Sequence, residues 1–268
     1  MASQLAELRV EAGLSGTALG RLCGWTHSKT SRIENGRTPP SPEDIRRWCA
    51  ACGATDSASA LIARSRTVET QYIEWRRRMR MGLRQAQYAA VPLFRDTRRF
   101  RAYSALLIPS PLQTEGYIRA LLESVTRFRE LPDEVEDAVA ARVKLNRVLH
   151  APGRTFAMVI EEAALHCRVA GPEATAAQLG HLMAAAALPS VSLGIIPADL
   201  PQRIKTPTET FHMYDDGLVS VELVSARVRV TQPQEIALYE KAFAQFGRMA
   251  VYGARARALI VEALRSVS

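Results

Sequence analysis

Between Ser15 and Gly36 the helix start and stop signals crowd so closely that the chain there has few ways to fold. Ser15 can cap a short helix over GTALGRLC that stops at Gly24. Thr26 can cap another over HSKTSRIEN that stops at Gly36. Two helices this short, joined by a glycine-containing turn, are the arrangement of a helix-turn-helix. Helical signals also flank the pair. SQLAELRVEAG places Leu5 and Leu8 on one face and ends at Gly13. TPPSPEDIRRWCAACGA restarts with Ser41 as cap and Pro42 in the first turn, and Glu43 and Asp44 lie at the positive helix end.

Spacing divides the third helix into two faces. Thr26, Thr30 and Ile33 recur four and three apart and are expected to pack on the second helix. His27, Ser28, Lys29 and Arg32 are then expected to point outward near the helix start, where a recognition helix meets base edges in the major groove. The fourth helix carries Trp48-Cys49-x-x-Cys52, which could be a redox centre or two small apolar residues in a core. Ile45, Trp48, Cys49 and Cys52 fall at three, four and seven residues, the inward face of an amphipathic helix. A thioredoxin-like site needs a preceding strand, and SPEDIRR is not one, so core packing is expected.

Charge placement points the same way as the helices. Residues 1–50 hold seven basic and five acidic side chains, and residues 51–104 hold eleven arginines against four acids. The net charge of +8 therefore lies wholly in the first 104 residues, as expected of a part that approaches a polyanion. An arginine-rich solvated helix is the alternative. In EWRRRMRMGLRQAQ, Trp75, Met79 and Leu83 form a stripe while Arg76, Arg77, Arg80 and Arg84 crowd the other faces. That pattern fits a connector helix that packs and is also electropositive. Four cysteines without a secretory leader argue for reduced thiols and a cytoplasmic setting. The stretch at 179–198 is too broken by His181 and Pro189 to read as a membrane span.

From about residue 105 the pattern becomes one of strands interleaved with helices, a mixed α/β layer fold. TFHMYDDGLVSVELV reads as a hairpin turning at Asp-Asp-Gly, and VSLGIIP as a buried strand. The fold class expected is therefore multi-domain. An all-α helix-turn-helix domain (1–56) leads through a basic helical connector (57–104) to an α/β domain (105–268). Glu161, Glu162 and His166 invite an acid–base or metal reading. Adjacent carboxylates on a helix diverge, however, and at a helix start they complement its dipole. His150, His181 and His212 stand alone, and there is no phosphate loop, nucleophile elbow or metal motif. No catalytic residue, metal or cofactor is expected.

The run SRIENGRTPPS, with LRVEAGLS and ALGRLCGWTHSKT before it, resembles the Xre-type (lambda-repressor-like) helix-turn-helix family. The C-terminal landmarks IPSPLQTEGYIRALL, AARVKLNRVL, VIEEAALHCRVAG and VSLGIIP resemble the domain of unknown function that follows this head in many actinobacterial regulators. The resemblance implies base readers at His27, Ser28 and Arg32, and phosphate contacts at Lys29, Asn35, Arg37 and the backbone of Gly16 and Thr17. It also implies an internal ion pair between Arg9 and Glu34. Further implications are double-stranded DNA as partner, a homodimer, and control through the C-terminal domain by a ligand or a small protein encoded nearby. An antitoxin that sequesters such a partner is the first alternative; an enzyme with a DNA-targeting head is the second.

Overall fold

The stop and start signals of the first sixty residues become helix ends. α1 (Ala2–Glu11), α2 (Gly16–Cys23), α3 (His27–Glu34) and α4 (Pro42–Ala51) follow one another, and residues 58–62 are again helical. Ser15 accepts from the Ala18 N–H at 3.1 Å, and Gly24 closes α2 in the left-handed region at φ +74°. Ser41 and Asp44 form a reciprocal capping box at the start of α4, both bonds at 3.1 Å. Thr26 departs from expectation. It holds the extended backbone of a cap, but its side chain makes no capping bond and is exposed. Its place on the inner face is taken by Trp25, whose indole N–H donates to Thr30 Oγ1 at 3.0 Å.

These helices enclose one core: Leu5, Leu19, Cys23, Ile33, Ile45, Trp48 and Cys49, with Leu61 and Ile62. Trp48 is fully buried, and its indole N–H donates to the Leu5 carbonyl at 2.9 Å, so its one polar atom is satisfied. Burial pushes the thiols of Cys23, Cys49 and Cys52 up, Cys23 to about 11. That is the opposite of what a reactive thiolate requires. The Cys-x-x-Cys spacing belongs to core packing.

The structure is a computed structural model describing residues 2–62, 72–74 and 82–267, the backbone alone at 72–74. The chain divides into two units, Met1–Gln71 and Tyr72–Ser268. The second opens with β1 (Tyr72–Glu74), α5 (Leu83–Tyr88), α6 (Val91–Asp96) and β2 (Arg99–Ser104). Then come α7 (Glu115–Arg129), α8 (Val135–Asn146), β3 (Thr155–Glu161), α9 (Ala163–His166), α10 (Pro172–Ala185) and β4 (Val191–Ile196). The chain ends through β5 (Phe211–Tyr214), β6 (Leu218–Glu222), β7 (Ala226–Val230), α11 (Pro233–Met249) and α12 (Gly253–Arg265). The strands form one sheet in the order β1-β7-β6-β5-β2-β3-β4. β2, β3 and β4 are parallel; β1, β7, β6, β5 and β2 pair antiparallel. One face packs on α11 through Tyr103, Val159, Phe211, Val219 and Phe246. The other packs on α10 and α12 through Phe100, Phe156, Met158, Leu182 and Ile260. The chain is thus an all-α head followed by a mixed α/β domain.

Two boundaries differ from the sequence reading. The α/β unit begins at Tyr72, not at 105, because β2 lies inside its sheet and β1 at its edge. Glu74 belongs to a strand rather than opening a helix, and the helix described after Gly82 is Leu83–Tyr88. Residues 75–81 of the expected connector helix, including Trp75, Arg76, Arg77, Met79 and Arg80, lie outside the described residues.

Candidate nucleic-acid interface

The site begins with the close crossing of α2 on α3. A Cβ at Gly20 would stand 2.9 Å from the Trp25 carbonyl oxygen, nearer than side chains approach backbone, so only glycine lets the turn fold back over α2. Thr30 and Ile33 then fill the seam, both buried. The opposite side of α3 is left to solvent, and it carries His27, Ser28 and Arg32, all exposed. Arg32 has no ion pair among the described residues. A free guanidinium on an exposed helix face has the donor fork that matches guanine O6 and N7 or a phosphate.

Lys29 does not share that face as expected. Its ammonium bonds Asp44 Oδ1 at 2.5 Å and lies 4.5 Å from the centre of the Trp25 ring. The reason is local: the capping box of α4 brings the Asp44 carboxylate beside the first turn of α3. Burial raises the Asp44 carboxyl, but the bonds from Lys29 and Ser41 outweigh it and hold the group below its ordinary value. Lys29 therefore joins α3 to α4.

The remaining residues are placed as follows. Arg37 and Asn35 are exposed, and Asn35 caps its own helix by donating from Nδ2 to the Ser31 carbonyl at 2.8 Å. Gly16 and Thr17 open α2, with their N–H groups one turn ahead of the first intrahelical bonds. A Cβ on Gly16 would come within 3.1 Å of the His27 ring, so the imidazole lies against this helix end. Arg9 Nε bonds Glu34 Oε1, and its Nη1 donates to the Leu14 carbonyl at 2.7 Å. Both side chains are about four-fifths shielded, which makes the pair an internal tie between α1 and α3.

The arginines of 51–104 are less free than their number promised. Five are described: Arg84 pairs with Asp137, Arg95 with Asp96, Arg99 with Asp216, and Arg101 with both Asp216 and Glu240. The side chain of Arg98 is the exception, while its backbone N–H donates to Asp215 at 3.1 Å. Much of the described charge thus holds β2 to the β5–β6 turn, as a strand tie rather than a DNA surface.

The carboxylates singled out in the α/β domain do not converge. Glu161 is buried, accepting from the Tyr103 hydroxyl at 2.8 Å and from Arg203 at 2.5 Å. Burial and then the Glu161 bond push the Tyr103 phenol up. Glu162 instead accepts from the Ala198 N–H at 2.7 Å, with His166 at 3.9 Å. A cavity of about 240 Å³ beside β4, lined by Met183, Leu193, Tyr252, Arg257 and Ile260 among others, holds no carboxylate, thiol or imidazole. Tyr103 and Arg203 escaped the sequence reading because 100 residues separate them. Nor does His212 stand alone: it shares a sheet face with Ser220 and lies near Arg142 and Arg227.

Comparison with known proteins agrees with this division. No curated protein matches the chain. One solved structure, of the archaeal chromatin protein TrmBL2, reported to show a novel mode of DNA binding, covers 92% of this chain and 91% of its own at 11% identity. Its TM-score of 0.34 is too low to carry an argument. Residues 1–61 match a helix-turn-helix domain family. Residues 91–262 match the domain of unknown function DUF5753, so the chain belongs to the DUF5753 family and carries a helix-turn-helix head ahead of that domain.

Proposed function

We propose that this chain is a sequence-specific DNA-binding transcription regulator. It works in the cytoplasm as a homodimer, binds rather than catalyses, and is controlled through its α/β domain by a ligand or a small protein partner. In this reading the Xre-type resemblance assigns base reading to His27, Ser28 and Arg32. Arg37, Asn35 and the free N–H groups of Gly16 and Thr17 hold phosphates, while Lys29 supports the helix from behind. The observation that carries it is the exposed Arg32, without an ion pair among the described residues, beside His27 and Ser28 on a helix whose other face packs through Thr30 and Ile33.

The test is duplex selection from a random pool, followed by titration of the selected and scrambled duplexes at several salt concentrations. Arg32→Ala should lose about 1–3 kcal/mol on the selected duplex and little on the scrambled one. Arg37→Ala should weaken both alike and lower the slope of log K against log salt by about one. Equal losses on both duplexes for Arg32→Ala would remove it from base reading.

A further inference from the structure

The α/β domain carries one polar, arginine-rich sheet face across β5, β6 and β7. Strand register sets His212, Ser220 and Arg229 in one row across β5, β6 and β7, with Glu222 opposite Arg227 in the next row. Residues in a row share a face. The alternate rows, Phe211 with Val221 and Val228, and Met213 with Val219 and Val230, go to the apolar core under α11. On the polar side lies Arg142 of α8, half-buried, with Nε donating to Gln87 Oε1 at 3.1 Å. Its guanidinium has no ion pair among the described residues.

Two further donors there are unanswered. Arg227 gives one nitrogen to Glu222 at 2.9 Å, but its buried Nε meets no acceptor among the described residues. Ser220 is only 3% exposed, and its Oγ has no hydrogen-bond partner among the described residues. Arg129 also lies close enough to Glu222 to feel its charge. Glu222 acts on Arg142 as well, without an ion pair, so one carboxylate serves Arg227, Arg142 and Arg129 together. Buried donors left without acceptors and shielded cations sharing one carboxylate are both destabilising, and natural structures keep them where something else completes them. The deficit here is one of negative charge and acceptor oxygen.

We propose that this face is a binding site for the oxyanion group of a small ligand, a carboxylate or a phosphate. Arg142 and the Arg227 Nε would grip it, with the Ser220 hydroxyl as a further donor. His212 suits such a site, because burial, then Arg227 and Arg142 against Glu222, push its pKa down to about 4. At neutral pH it is an uncharged imidazole able to donate one N–H. As an effector site this rests on the regulatory reading above; as a binding site it does not.

The full-length protein is titrated with sodium phosphate and, separately, sodium succinate, with chloride holding ionic strength constant, and thermal unfolding is followed. Wild type should show a saturable rise in Tm with one of the two anions, and the stronger anion identifies the group recognised. Ser220→Ala should weaken the apparent affinity several-fold and Arg142→Gln at least tenfold. The doubly substituted head, Arg32→Ala with Arg37→Ala, should respond as wild type does, which separates this site from phosphate held at the head. No saturable rise in wild type, or an unchanged response in Ser220→Ala, overturns the site; if Arg142→Gln does not fold, Ser220→Ala decides. Saturable binding that leaves affinity for the selected duplex unchanged keeps the site and removes its regulatory role. Saturable binding by a protein that holds no duplex keeps the site and overturns the DNA reading instead.

Discussion

At the scale of single residues, Lys29 shows how a charge counted as DNA-facing can be taken up by the fold. Its partner Asp44 is held below its ordinary value of 3.8, so the pair stabilises the folded head above that pH and stops doing so as acid protonates the carboxylate. The Lys29 side chain is about one-third exposed, which screens the pair, and its removal should cost roughly 1 kcal/mol at pH 7. Thermal unfolding of wild type and Lys29→Met should thus differ by a few degrees at pH 7. The two melting temperatures should converge as pH falls below 3.8. A difference that persists undiminished in acid would mean that packing on Trp25, not the ion pair, is what Lys29 supplies. The Arg9–Glu34 tie was implied by the family resemblance alone, since it joins side chains 25 positions apart. The outward direction of His27, Ser28 and Arg32 was legible in the sequence, because helical spacing places them. Lys29 was not, since its direction depends on where a cap on another helix holds a carboxylate. His212, Arg142 and Arg227 were illegible for the same reason: strand register brings them together.

At the scale of elements, the helical head was readable nearly to the residue, because each helix end is written in a cap or a glycine within one turn of it. Gly20 is the position on which the crossing of α2 and α3 depends most. Placing a methyl group 2.9 Å from the Trp25 carbonyl forces the turn outward, and the Thr30–Ile33 seam opens with it. Gly20→Ala should therefore destabilise the head by about 2 kcal/mol or more, despite the better helix propensity of alanine. Thermal or urea unfolding would measure the change; a neutral or stabilising substitution would mean that the turn yields freely. In the α/β domain the Asp-Asp-Gly hairpin was likewise foreseen. β2 was missed because its residues, RFRAYS, read as part of a basic run. The sheet settles what composition obscured: Phe100 and Ala102 enter the core, while Arg99 and Arg101 reach the Asp216 carboxylate from the same strand. An arginine in a strand with a carboxylate waiting at the neighbouring turn looks, along the chain, no different from one meant for a phosphate.

At the scale of the whole molecule, the proposed reading calls for two heads rather than one. On the proposed reading, three base readers at about 1–3 kcal/mol each supply roughly 3–9 kcal/mol, which reaches the upper part of the roughly 4–10 kcal/mol separating specific from non-specific binding only if every contact is at its best. Few charges within residues 1–50 are left to add to this. Residues 1–50 carry seven basic and five acidic side chains, and of those seven, Arg9, Lys29, Arg46 and Arg47 are already paired within the head. A second head held by a dimer raises the effective concentration for the next half-site without any new kind of contact. On that argument a duplex with two half-sites about 34 Å apart should bind at least roughly 100-fold more tightly than one with a single half-site. Inserting half a helical turn between the half-sites turns one of them to the far side of the duplex, and most of that gain should vanish. Titrating the three duplexes at fixed salt, with the mass of the complex measured alongside, checks both stoichiometry and spacing. A single half-site bound as tightly as the pair would mean that one head draws its specificity from contacts outside α3, and the dimer would no longer be needed to explain it.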